Sequence, residues 1–222
     1  MKIIGNPKSG KRGPYIYQAG RYGQTSRTLV VPLNPRTLAQ CLARNRLAGV
    51  ASRWRQLTQP QRNAWTLAAL AHQSATRLDQ SGPLSGLQLF TKINCSRLII
   101  GAAEATLPPP EPAFNPLPVT GLTITNTGGA ITLKLDATGA LAEVTMLRGA
   151  PPCSQGCDWP PRLVYLGTVT SPLGGAIDIT ALYIARHGPP PVGAKVFVQV
   201  NQNAGGWEDT PQQFAAIVPA AG

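Results

Sequence analysis

The chain has 222 residues, enough for one large or two ordinary domains. Hydrophobic residues make up 43%, an ordinary globular share, but charged residues only 13%, about half the usual proportion, while 23 glycines and 22 prolines keep much backbone outside regular elements. A wholly disordered chain is excluded. So is a membrane span, because the nearly uncharged stretch Leu107–Leu133 is broken by prolines and polar residues.

Charge is spread unevenly. The net charge is +11, yet residues 1–106 carry 15 basic against two acidic side chains and residues 107–222 carry five against seven. Met1 to Leu78 holds 13 Lys and Arg and no carboxylate. A segment that cannot neutralise itself seeks a polyanion or an acidic protein surface, and Lys8, Lys11, Arg12, Arg21, Arg27, Arg36, Arg44 and Arg53 are its candidate contacts. The start, Met1 to Arg12, lacks the apolar run of a secretory signal, so synthesis in the cytoplasm is expected.

Residues 1–34 form a basic extended arm. Tyr15-Ile16-Tyr17 and Ser26 to Val31 can pair as a hairpin across Gly20–Gly23, but too few apolar side chains are present for it to stand alone. It is expected to order on a partner. Residues 35–105 read as a helical domain. Asn34 and Pro35 suit the start of a first helix with an apolar stripe through Leu38, Leu42, Leu47, Val50, Trp54 and Leu57. Thr58-Gln59-Pro60-Gln61 is a capping box for a second helix, from about Pro60 to Leu78, and Ser85 caps a third through Phe90 and Ile93. Trp54, Trp65 and Phe90 are expected to meet in their core or at an interface.

Thr106 to Pro118 holds six prolines in 13 residues, the composition of a stiff spacer. Beyond it, residues 119–222 alternate with period two in seven runs: Gly121–Thr125, Ala130–Asp136, Ala142–Arg148, Arg162–Thr168, Gly175–Ile179, Lys195–Asn201 and Gln213–Val218. Their number and spacing predict an antiparallel β-sandwich of fibronectin or immunoglobulin type, with Leu182-Tyr183 in a short helix or corner. Cys41 and Cys95 read as small helical core residues. Cys153 and Cys157 can close a local disulfide, remain thiols, or form half a zinc site for which His187 is the only plausible partner; a disulfide or free thiols are favoured over zinc, with Trp159 beside them as a lid on the sandwich.

Catalysis is not expected. There are two histidines and nine carboxylates, with no tight pair, metal set or phosphate loop recognisable from their spacing. The segments Arg21-Tyr22-Gly23-Gln24, Pro32-Leu33-Asn34-Pro35-Arg36-Thr37-Leu38-Ala39-Gln40 and Trp54-Arg55-Gln56-Leu57-Thr58-Gln59-Pro60-Gln61-Arg62-Asn63-Ala64-Trp65 resemble a pattern of bacterial and phage-borne structural-type proteins. In those, a glycine-rich basic start precedes NPxTxxQ, WxxLTxxQRxAW and a β-sandwich tail. The resemblance covers the first 100 residues best. It implies a structural or assembly role with no catalytic residues.

The expectation is thus an α+β multidomain chain: arm, helical unit, Pro-rich linker at 106–118 and sandwich. Its expected role is a non-enzymatic structural subunit of a phage virion or virion-like particle, capsid- or tail-associated, anchored by the arm and helices with the sandwich displayed outward. Expected partners are other structural proteins of the assembly and further copies of itself. Nucleic-acid binding by the basic half is the alternative. No cofactor, metal, membrane or small-molecule substrate is expected.

Overall fold

Residues 9–20, 23–31, 36–74, 81–141, 143–169 and 175–222 are described in a computed structural model of the chain. The first of them build a small antiparallel meander of β1 (Gly10–Arg12), β2 (Tyr15–Gly20) and β3 (Gly23–Thr28). Tyr15 lies opposite Thr28 and Tyr17 opposite Ser26, the hairpin read from the sequence; β1 extends it by a third strand. No described side chain in this sheet is buried.

Helix α1 (Leu38–Trp54) begins later than Pro35. Arg36 sits at φ +49°, a left-handed conformation that stops a helix, and Thr37 caps instead by accepting from the Gln40 amide. The Asn34–Pro35 pair lies outside the described residues. Helix α2 (Gln59–Ala69) keeps its expected start, where Gln61 Oε1 accepts from the Thr58 amide at 2.9 Å, but it ends well before Leu78. The chain turns there because its amides find partners elsewhere: Ser74 donates to the Gly82 carbonyl and Leu84 to that of His72, forming a bridge between Gln73 and Pro83. Helix α3 (Gly86–Ile99) opens on the reciprocal Ser85–Gln88 box. Its first residue must be small, since a Cβ on Gly86 would come within 2.7 Å of Thr66 Oγ1 and 2.9 Å of the Thr66 amide nitrogen.

These helices surround Val50, Leu57, Trp65, Ala69, Leu89, Phe90 and Ile93. Trp65 meets Phe90 edge-on at 5.3 Å between ring centres, and half-buried Trp54 lies 5.4 Å from Phe90, so the three aromatics do cluster. Burial of a ring the size of Trp65 contributes roughly 4–6 kcal/mol of transfer free energy.

The remaining chain is antiparallel sheet with one inserted helix. One sheet has the order β4 (Val119–Thr127), β5 (Ala130–Ala137), β8 (Gly175–Asp178). The other places β6 (Val144–Gly149) between β7 (Val164–Val169) and β9 (Lys195–Ala204), whose other edge takes β10 (Trp207–Glu208) and then β11 (Gln212–Ile217). Leu122, Ile124, Leu133 and Leu135 from the first sheet meet Leu147, Val196, Val198 and Val200 from the second in one apolar cluster. Helix α4 (Thr180–His187) buries Tyr183 in it, with the phenol donating to the Ala150 carbonyl at 2.9 Å. All seven sequence-read strands are present; β10 is additional.

The expected spacer is not a spacer. Trp65 Nε1 donates to the Thr106 carbonyl at 2.9 Å, Trp207 Nε1 to Pro109 at 3.1 Å and Gln202 Nε2 to Asn115 at 2.9 Å. Leu117 is buried, and Phe114 packs on the helical core. Proline stiffness is retained, but the carbonyls that prolines leave free are bonded by side chains from both sides, so the segment stitches the helices to the sheets. Trp207 belongs to the helical core although its strand belongs to the sheet.

Candidate functional site

The helices and sheets meet at a polar seam. Asn203 Nδ2 donates to Ser96 Oγ at 2.6 Å, and the Ser96 hydroxyl donates to Glu208 Oε1 at 2.7 Å. The other carboxylate oxygen accepts from Asn201 Nδ2 at 3.2 Å and from Arg148 at 3.3 Å. Arg97 reaches across from α3 to the Gly205 carbonyl at 3.0 Å. The turn it touches fits against the helix so closely that a Cβ on Gly206, at φ +98°, would lie 2.7 Å from the Ile93 carbonyl oxygen. None of Ser96, Asn203, Glu208 or Gly206 stood out as chemistry-bearing in the sequence. The available signal was Gly205-Gly206 ahead of Trp207, a hairpin turn carrying an aromatic.

The basic side chains divide by use. Arg62 donates to the carbonyls of Trp54 (3.2 Å) and Arg55 (2.7 Å), closing the end of α1. Arg53 pairs with Glu104 at 3.0 Å. That pair stands beside an open cleft of about 340 Å³ lined by Gln56, Leu57, Gln61 and Phe90. Lys11, Arg12, Arg27, Arg36 and Arg44 form no salt bridge with any described carboxylate. Lys8 and Arg21 lie outside the described residues. The candidate contacts are therefore not one cluster: Lys11, Arg12 and Arg27 share the meander, Arg36 precedes α1, and Arg44 and Arg53 lie along it.

Apolar exposure is concentrated in the same half. The first three turns of α1 hold no fully buried residue, Gln40, Cys41 and Arg46 being half-buried, and Leu38 (76% exposed), Leu42 and Leu47 face solvent with Val30 and Val31 just upstream. Leu38 and Leu42, four apart, lie on one stripe. Helix α2 adds Leu67 and Leu70, both exposed. The sequence-read stripe along α1 is thus only half a core face: Val50 and Trp54 pack, and the leucines before them do not.

Of the two forms that the sequence left open for Cys153 and Cys157, disulfide and free thiols, the structure has the second. Cys153 and Cys157 are free, as are Cys41 and Cys95, and no disulfide is formed. Cys153 is held by the sheet, exchanging backbone hydrogen bonds with Lys195 and turning its thiol to the Lys195 carbonyl at 3.3 Å, while Cys157 Sγ lies 3.5 Å from Ser154 Oγ. Burial raises the Cys153 pKa, and it raises that of Cys95. Trp159 is 79% exposed, so it does not cover the sheets as a lid. Among the described residues, no group of three or more His, Cys, Asp or Glu is placed to hold a metal ion. Likewise no described helix is long and apolar enough to cross a membrane.

Elsewhere, burial pulls the His187 pKa below its ordinary value, partly offset by its contact with the Gly149 carbonyl at 3.3 Å. Asp178 is held below the usual carboxylate range by hydrogen bonds from Thr180. Comparison with protein families, curated proteins and solved structures finds no match to this chain.

Proposed function

We propose that the chain is a non-enzymatic structural subunit of a phage virion or virion-like assembly, docked through its helices with the sheets projecting away. One observation carries this reading: α1 extends three turns beyond its packed end with Leu38, Leu42 and Leu47 uncovered. A free helical segment of that length is marginal in water, and leucines left on it find their packing on another subunit. The cations on and before it, Arg36 and Arg44, form no salt bridge with a described carboxylate and fit an acidic neighbour. The strand orders support a fibronectin-III-like sandwich for the β part. On that reading β4, β5 and β8 take the first, second and fifth places, with β6, β7, β9 and β10–β11 forming the facing sheet. Such modules serve as spacers and display units, an analogy from fold.

The test is co-sedimentation in the producing cell. The wild-type chain is expected in the fraction of large particles, and Leu38→Ser/Leu42→Ser in the soluble fraction with an unchanged melt. A wild-type chain that remains monomeric in every fraction refutes the proposal.

A further inference from the structure

The segment joining β6 to β7 carries two thiols, Cys153 and Cys157, that docking through the helices does not employ. Pro151-Pro152 and Pro160-Pro161 stiffen its two ends, and the sheet clamps it between them. Cys153 exchanges backbone hydrogen bonds with Lys195, and Lys195 Nζ donates to the Cys157 carbonyl at 2.8 Å. A turn closes the interval, the Cys157 amide donating to the Ser154 carbonyl at 3.1 Å. One lysine therefore anchors both cysteines, and their side chains come together, the Cys157 thiol hydrogen-bonding to that of Cys153. Packing asks for neither: both are half-buried, and unlike Cys95 neither belongs to an apolar cluster. The surroundings suit thiolate ligands. Ser154 Oγ lies 3.5 Å from Cys157 Sγ, within reach to donate to it, and the Lys195 ammonium favours negative charge on Cys153.

We propose that Cys153 and Cys157 form a site for a thiophilic closed-shell cation, copper(I), held between the two sulfurs as a bis-thiolate. Zinc fits less well. A structural zinc takes four ligands, and the described residues place no third His, Cys, Asp or Glu beside the pair. Copper(I) is selected by soft sulfur and is satisfied by two thiolates in line. Each S–H proton leaves to solvent as its sulfur bonds the metal, so the bound unit carries one net negative charge, which the Lys195 ammonium offsets. The contacts made by the thiols do not stand in the way. The Cys153 thiol gives up its 3.3 Å contact with the Lys195 carbonyl along with its proton, and that carbonyl keeps the Cys153 amide as donor. Half-burial shields the metal, while exposed Ser154, Gln155 and Gly156 leave the outer side of the turn open for its entry. The site belongs to this loop and not to the fold, and it stands independently of the assembly reading.

The experiment is anaerobic transfer of copper(I) to the reduced full chain from its coloured bicinchoninate complex. One copper per chain should move, bleaching the complex in proportion, and the affinity should climb with pH because protons are displaced. Cys153→Ser and Cys157→Ser should each abolish transfer with the melt unchanged, whereas Cys41→Ser/Cys95→Ser should take up copper like wild type. Lys195→Gln should weaken binding by roughly tenfold, its charge no longer offsetting the bis-thiolate. Iodoacetamide labelling, located by peptide mass spectrometry, gives a second readout: copper should protect Cys153 and Cys157 and leave the labelling of Cys41 and Cys95 unaltered. Three results overturn the site: no transfer, transfer that survives Cys153→Ser/Cys157→Ser, or protection centred on Cys41 or Cys95. Cobalt(II) binding with the visible bands of a tetrahedral thiolate centre likewise overturns it, since that geometry requires further ligands.

Discussion

Removing Trp207 tests whether helices and sheets form one cooperative body. The ring is 6% exposed, 4.7 Å from the His72 ring, and packed with Val50, Trp65 and Phe90 in a cluster whose other main members come from the helices. Trp207→Ala leaves a cavity and costs about 3–5 kcal/mol. It also removes the Nε1 donor to Pro109, leaving that carbonyl without its partner. Trp207→Phe keeps most of the ring volume and loses the donor, at a cost of about 1–2 kcal/mol, so the pair separates packing from hydrogen bonding. For a chain this long, each kcal/mol lowers Tm by roughly 2–4 °C, so the alanine variant should melt about 6–20 °C below wild type. Calorimetry and circular dichroism of both forms provide the measurement. A single wild-type transition that moves as a whole is expected. Two resolved wild-type transitions, with only the helical one moved by the substitution, would refute the shared core.

Trp65→Ala should cost about 3–5 kcal/mol in chemical denaturation; an unchanged midpoint would mean that the ring is not part of the monomer's core. Glu208→Ala strips the acceptor from Ser96, Asn201 and Arg148, and should cost about 1–3 kcal/mol, whereas Glu208→Gln should cost less because an amide oxygen still accepts. For His187 the folded pKa lies below the ordinary histidine value of about 6.5, so the unfolded chain takes up the proton first as pH falls. The stability held by neutral His187 is complete above about 6.5 and is lost as pH drops through the folded pKa, so His187→Gln should flatten the fall of Tm on the acid side of that value.

Local rules were enough for much of the architecture. The Thr58–Gln61 and Ser85–Gln88 boxes fixed two helix starts, and Val196, Val198 and Val200 announced a strand by alternation alone. The failures came where long-range partners overrode local preference. Thr106–Pro118 reads as a spacer because its prolines cannot donate, yet the indoles of Trp65 and Trp207 donate to its carbonyls from far along the chain. Helix α2 could have continued past Ala69 on composition, but His72 is drawn against Trp207 and the following amides bridge to Gly82. The spacing of Cys153 and Cys157 showed that the two lie close together but not whether they bond; both thiols are free, Cys153 against the Lys195 carbonyl and Cys157 beside Ser154. Among the candidate surfaces, the cations were legible as a count, whereas the exposure of Leu38 and Leu42 was not. A stripe of leucines looks the same whether it is covered by its own chain or left for another.

The seating of Gly206 against α3 dictates where this molecule can change length. A residue inserted between Asn203 and Trp207 would have to displace the Ile93 carbonyl and the Arg97 side chain, so that hairpin is closed to growth. Strand β9 runs ten residues from there, roughly 33 Å, to the opposite end, where Lys195 holds the loop bearing Cys153 and Trp159. Residues 154–161 of that loop hydrogen-bond to no described helix residue, and Trp159 among them projects an exposed indole. Homologous chains should therefore vary in length and side chain at 154–161 while keeping 203–207 constant, and an epitope grafted between Ser154 and Gly156 should leave the seam, and whatever the helices dock against, undisturbed.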